Sequence, residues 1–118
     1  MFSEWVKGKS FDTFCPLGPV LVTPEAAGNP DNLRIRTRVN GEPRQDDNTS
    51  DQIFSCPELI AWASKDMTLM PGTVIMTGTP EGIGASMSPP HFLCPGDVCE
   101  IEIENLGILK NNVVQAPQ

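Results

Sequence analysis

Leu33-Arg34-Ile35-Arg36-Thr37-Arg38-Val39-Asn40-Gly41-Glu42-Pro43-Arg44-Gln45-Asp46 is the stretch on which the fold turns. Successive side chains of a strand point to opposite faces, so Leu33, Ile35, Thr37 and Val39 share one face and the three arginines share the other. Asn40-Gly41 follows at once, and that pair tolerates the positive φ angles of a two-residue hairpin turn. Glu42 to Asp46 is therefore expected to return as the antiparallel partner. Pro43 has no amide donor, which marks the partner as an edge or bulged strand. The arginines are expected to form a solvated face rather than an anion-binding stripe.

A second hairpin is written near the other end. Asp97-Val98-Cys99-Glu100-Ile101-Glu102-Ile103-Glu104 alternates in the same way, Asn105-Leu106-Gly107 reads as a turn, and Ile108-Leu109-Lys110 returns. Two apolar runs, Val20-Leu21-Val22-Thr23 and Thr73-Val74-Ile75-Met76-Thr77, are bounded by Pro and Gly and read as further short strands. Ser55-Cys56-Pro57-Glu58 matches a capping box, with Glu58 reaching back to the Ser55 amide. A helix is expected after it, carrying Leu59, Ile60, Trp62 and Ala63 on its apolar face and ending near Asp66-Met67. About six strands and one main helix define a mixed, β-rich fold, a roll or distorted sandwich.

Composition sets the outer bounds. At 118 residues the chain suits one domain with a single core, and Leu, Ile, Val and Phe are plentiful enough to build it. Ten Gly and twelve Pro imply many turns. A net charge of −7 excludes a nucleic-acid partner, because phosphate neutralisation needs clustered Lys and Arg. No apolar run reaches the roughly 20 residues of a membrane span, and Met1-Phe2-Ser3-Glu4-Trp5 lacks the shape of a signal peptide. A cytoplasmic location is expected. Cys15, Cys56, Cys94 and Cys99 show no paired spacing and read as free thiols.

Gly78-Thr79-Pro80-Glu81-Gly82-Ile83-Gly84 follows the second apolar run directly, and a strand feeding a Gly-rich loop can offer backbone amides to a ligand. No Lys follows the glycines, so a phosphate loop is weakly supported. Asp46, Asp47 and Asp51 lack the spacing of a known cation loop and read as a solvated turn. Glu100, Glu102 and Glu104 read as solvent-face acids, and His91 as a loop residue.

Taken in order, Lys7-Gly8-Lys9-Ser10-Phe11-Asp12-Thr13-Phe14-Cys15-Pro16-Leu17-Gly18-Pro19, Val39-Asn40-Gly41-Glu42 with Arg44-Gln45, Asn48-Thr49-Ser50, Thr77-Gly78-Thr79-Pro80-Glu81-Gly82-Ile83-Gly84 and Pro95-Gly96-Asp97 resemble landmarks of the fumarylacetoacetate hydrolase superfamily. The resemblance runs from about Trp5 to Val114. It implies an irregular mixed β-roll, usually homodimeric, and residues 1–118 are expected to form a single domain truncated at its N-terminus. It also implies chemistry on keto acids, including C–C cleavage, decarboxylation and isomerisation, generally with Mg²⁺ or another divalent ion. Lys9 matches the family lysine that approaches the substrate oxygens, and Thr79 matches the threonine that bonds the substrate carboxylate or carbonyl. Gln45, Asn48, Gly78 and Pro80 fall in the substrate-binding segments.

The family's metal ligands, a Glu-x-Glu pair and a distant Asp, together with a His-Glu dyad, have no counterpart here, so no metal or other cofactor is assigned. The expected partner is a small-molecule substrate, with Lys9 and Thr79 stabilising an enolate without metal as a hydrolase, tautomerase, lyase or cyclase would. Two alternatives stand beside it. One is a non-catalytic dimeric remnant or binding module, and the other is a part that needs a second chain to supply the metal ligands.

Overall fold

The computed structural model describes residues 5–116. Met1 to Glu4, read above as lacking a signal-peptide shape, lie outside the described residues. Four antiparallel strands form one sheet in the order β2-β1-β3-β4, with β1 Arg34–Val39, β2 Glu42–Asn48, β3 Val98–Ile103 and β4 Gly107–Asn112. Two short helices, α1 Trp5–Lys9 and α2 Pro24–Ala27, precede the sheet, and α3 Cys56–Ala63 follows β2. No described helix is long and apolar enough to cross a membrane.

Both hairpins form as the alternation predicts. Asn40 and Gly41 take φ of 54° and 82°, the two left-handed residues of a tight turn. Strand β2 is an edge strand and it is also bulged. Thr37 faces Gln45 and Arg38 faces Pro43, so Arg44 is the extra residue between them. The same strand runs two residues further than expected, through Asp47 and Asn48. Thr49 then closes the end of the sheet, donating its amide to the Leu33 carbonyl at 2.9 Å and accepting the Leu33 amide on its hydroxyl at 2.8 Å.

The register places Ile35 opposite Ile103, Thr37 opposite Ile101 and Val39 opposite Cys99 on one face. On the other, Arg36 and Arg38 both donate to Glu102, at 2.8 and 3.1 Å, while Arg34 holds Asp46 in a two-point pair and Lys110 reaches Glu100 at 2.8 Å. The expected solvated arginine face is thus an ion-pair ladder. The acids of β3, read as solvent-face residues, neutralise it across the strands. Hydrogen bonding to Arg34 holds the Asp46 carboxyl below its ordinary range.

Helix α3 begins as the capping box requires, with Glu58 accepting both the amide and the hydroxyl of Ser55 at 2.8 and 2.7 Å. The two expected strands at 20–23 and 73–77 do not pair. Both segments lack ladder bonds, and Leu21, Val74 and Met76 are exposed. An apolar run records a need for burial, but a strand also needs a partner edge, and none is supplied among the described residues.

Burial is correspondingly thin. Among the described residues only Leu33, at 6% exposure, is a buried hydrophobic side chain. The chain exposes 9717 Å², whereas a compact monomer of its mass would expose about 6,300 Å². Its radius of gyration, 15.7 Å, exceeds the roughly 13.5 Å of a compact chain this long.

Candidate functional site

The apolar face of the sheet, the turn after β2, α3 and the glycine loop surround a cavity of about 460 Å³. Ile35 and Ile103 form its floor and Leu59, Ile53 and Phe54 its apolar wall. Asp47, Asn48, Asp51, Gln52, Thr77 and Thr79 supply the polar groups, and the Gly78–Pro80 turn forms the opposite rim. A mostly apolar cleft with a few convergent polar groups is the usual form of a small-molecule site.

The glycine loop and its lead-in are held by two glutamines, Gln45 on the edge strand and Gln52 after the turn that follows it. Nε2 of Gln45 donates to Thr79 Oγ1 at 3.0 Å and to the carbonyls of Pro80 and Glu81 at 2.9 and 3.1 Å. Gln52 Nε2 donates to Thr77 Oγ1 at 3.0 Å. The loop's glycines serve close approach to backbone. A side chain at Gly82 would strike the Arg44 carbonyl at the bulge, and one at Gly84 would strike the His91 carbonyl. His91 donates its amide to Gly84 at 2.9 Å, and its ring lies 3.3 Å from Arg44 Nη2.

Asn48 caps the short turn Thr49–Asp51, accepting the Ser50 amide on Oδ1 at 2.9 Å. Asp47 and Asp51, read from sequence as part of a solvated turn, both line the cavity. They share a hydrogen bond that raises the Asp51 carboxyl above its ordinary range. Gln45, Asn48, Gly78, Thr79 and Pro80 therefore gather at one place. Lys9 is exposed at the end of α1 and is not among the lining residues. Sequence reading passed over Asp47, Asp51 and Gln52 as cavity groups. No local signal marked Asp47: without the bulge the alternation would set Asp46 opposite Ile35, and only the shifted register brings Asp47 to the apolar face.

The family's divalent ion does not fit the residues at hand. Among the described residues, no three His, Cys, Asp or Glu side chains come together as metal ligands.

A β-rich fold that holds a threonine-bearing glycine turn over a mostly apolar cleft has the form of a small-molecule-binding domain. Residues 1–114 match the fumarylacetoacetate (FAA) hydrolase C-terminal family, and the chain belongs to it. It is 54% identical over 111 residues to the mitochondrial oxaloacetate tautomerase of Xenopus laevis, covering 94% of this chain and 35% of that protein. It is 52% identical over 106 residues to oxaloacetate tautomerase YisK of Bacillus subtilis, covering 90% of this chain and again 35% of the relative. Among solved structures, a fumarylacetoacetate hydrolase from Exiguobacterium antarcticum superposes with a TM-score of 0.88 at 44% identity, over 93% of this chain and 39% of that one. A maleylpyruvate hydrolase from Sphingobium, solved with manganese(II) and pyruvate, gives 0.82 at 42% identity over 92% and 39%. The chain spans little more than a third of the length of these proteins.

Proposed function

We propose that this chain forms the pocket portion of an enzyme acting on a keto acid or β-dicarbonyl-like small molecule by enolate stabilisation. The hydroxyl of Thr79, the Gly78–Pro80 turn and the side-chain amide of Asn48 receive the oxygens of the substrate, and Lys9, which does not line the cavity of the free chain, supplies the positive charge once substrate is bound. The observation that carries this reading is the bond from Gln45 to Thr79, which fixes the threonine on the rim of a cleft of small-molecule size. Names of the relatives support the substrate class, since they include oxaloacetate tautomerases and a maleylpyruvate hydrolase bound to pyruvate.

The test is isothermal titration of oxaloacetate and pyruvate into the chain, run with keto–enol conversion of oxaloacetate followed by ultraviolet absorbance. Thr79→Val and Lys9→Ala are expected to lose turnover at least tenfold while the fold is kept. Wild-type rates in both variants would remove the proposal.

A second reading is favoured by two observations. The cavity's lining holds two carboxylates and no cation, and no metal-ligand trio exists among the described residues. On that reading the divalent ion and its ligands come from further polypeptide. Sharp loss of activity in chelator, restored by Mg²⁺ only when a second fragment is present, would select it. Homodimerisation is proposed as well, supported by the large exposed apolar surface. Cytoplasmic location is likewise proposed from the sequence, although the Xenopus relative is named as mitochondrial.

A further inference from the structure

We infer that Gln45 is a positioning residue that sets the direction of the Thr79 hydroxyl, so that the cavity selects ligands presenting an anionic or carbonyl oxygen. The inference rests on the proposed contact between Thr79 and substrate, and it assigns Gln45 a role behind that contact.

The polarity follows from what surrounds the Gln45 amide. A carboxamide has an oxygen that only accepts and a nitrogen that only donates. The end of Gln45 that meets the loop lies 2.9 and 3.1 Å from the Pro80 and Glu81 carbonyls, and carbonyls only accept. That end must therefore be the nitrogen. The same nitrogen sits 3.0 Å from Thr79 Oγ1, and its two protons are shared among these three acceptors; an amide nitrogen does not accept, so the threonine oxygen is an acceptor in this contact. A hydroxyl has one proton, and Thr79 does not spend it on Gln45. The Thr79 O–H remains a donor on the rim of the cavity, matched to a carboxylate, a keto oxygen or an enolate.

Geometry on the strand explains why position 45 does this. The bulge at Arg44 shifts the register so that Gln45 pairs with Thr37, which puts its side chain on the cavity face. Gly82 lies against the Arg44 carbonyl and the Gln45 Cγ, so the loop sits flush on the bulge and the short reach to Thr79 is set by backbone contact.

The experiment is a double-mutant cycle on pyruvate affinity, using Gln45→Glu, Thr79→Val and the pair, with Gln52→Glu as a comparison at the neighbouring clamp. In Gln45→Glu an acceptor-only carboxylate faces Thr79, which must turn its proton toward position 45. Gln45→Glu and Thr79→Val are each expected to weaken pyruvate at least tenfold, and the pair no more than either alone, because both remove the same donor. Additive losses, or a Gln45→Glu variant that binds like wild type, would overturn the inference.

A ligand-free readout separates this from the functional proposal. By NMR, the Gln45 side-chain NH₂ should exchange slowly with solvent, and the amides of residues 79–82 should shift in Gln45→Glu. Slow exchange in a chain that binds no keto acid would sink the proposed function while leaving the clamp standing. Fast exchange with unmoved loop amides would sink the clamp.

Discussion

Gly82 meets Arg44 backbone to backbone: the space where a side chain would begin at Gly82 is already taken by the Arg44 carbonyl, at the bulge of the edge strand. Gly82 also holds φ at 92°, a conformation that side chains rarely adopt. Gly82→Ala is therefore expected to destabilise the fold by at least about 2 kcal/mol, combining steric overlap with backbone strain. Gly72 shares a similar φ of 89° but has nothing within 4 Å of the added carbon, so Gly72→Ala isolates the strain and should cost about 1 kcal/mol. Urea titration of both variants checks the difference. Equal midpoints would mean that the loop is not seated on the bulge.

What the sequence made legible follows from that comparison. The alternation from Leu33 to Val39 and the Asn40-Gly41 turn specify the first strand and the turn of its hairpin, because strand period and turn geometry are local properties. Pro43 announced the edge and the bulge, yet nothing local says that Arg44 is the residue squeezed out, since the register is fixed by where Gly82 docks 38 positions away along the chain. The same limit hid Asp47 in a run that reads as a polar turn. The strand extends past Asp46, so Asp47 turns to the apolar side opposite Ile35. The unpaired segments at 20–23 and 73–77 failed as strand predictions for a further reason: apolar runs advertise burial, and the described residues do not supply the surface to bury them.

Asn40 does more than turn the hairpin. Its Nδ2 donates to Asp97 Oδ1 at 2.8 Å and its Oδ1 accepts the Val98 amide at 2.9 Å, which joins the first hairpin to the start of β3. Asn40→Gly keeps the left-handed backbone and loses only these bonds, so it should cost about 1–2 kcal/mol. Asn40→Ala loses them and adds strain at φ 54°, so it should cost roughly 1 kcal/mol more. Thermal unfolding of the two variants measures the order. Asn40→Ala at or above Asn40→Gly would contradict the assignment.

The ladder of charges predicts an uneven response to truncation. Glu102 is three-quarters covered and accepts from two arginines, whereas Lys110 is largely exposed and meets one partner. Glu102→Ala strands Arg36 and Arg38 beside each other and should cost about 1–2 kcal/mol. Lys110→Ala should stay within about 0.5 kcal/mol. Salt ought to narrow the gap by weakening the like-charge contact in Glu102→Ala. A Lys110 variant as unstable as the Glu102 variant would show that the ladder is not centred on Glu102.

Two sets of carboxylates make opposite demands on pH. Asp46, Glu58, Asp97 and Glu100 are held below their ordinary range, chiefly by Arg34, by Ser55, by the Cys94 amide and by Lys110 in turn. Their contribution is present above the ordinary carboxylate pKa and is lost as pH falls through their lowered values. Asp51 is raised by its bond to Asp47, so its contribution is present at low pH and fades as pH climbs through the raised value. Acid should therefore destabilise the wild type, and Asp51→Asn should be relatively more stable than wild type at neutral pH than at pH 4, because it keeps a donor toward Asp47 without the second charge. Chemical denaturation at both pH values gives the comparison; a gain at pH 4 that matches or exceeds the gain at neutral pH would rule out the shared proton.

The surplus of exposed surface should be visible in solution thermodynamics. An average 118-residue domain unfolds with a heat-capacity change of about 1.4–1.8 kcal/mol/K. With 9717 Å² still exposed in the folded chain, the area released on unfolding is about 70% of the usual amount, so a monomer should give roughly 1.0–1.3 kcal/mol/K. A dimer that covers Phe54, Trp62 and their exposed neighbours restores the difference, and it also makes Tm rise with protein concentration. Calorimetry across a hundredfold concentration range, paired with sedimentation, decides between them. A constant Tm, a low heat-capacity change and a single monomer boundary together would remove the proposed homodimer.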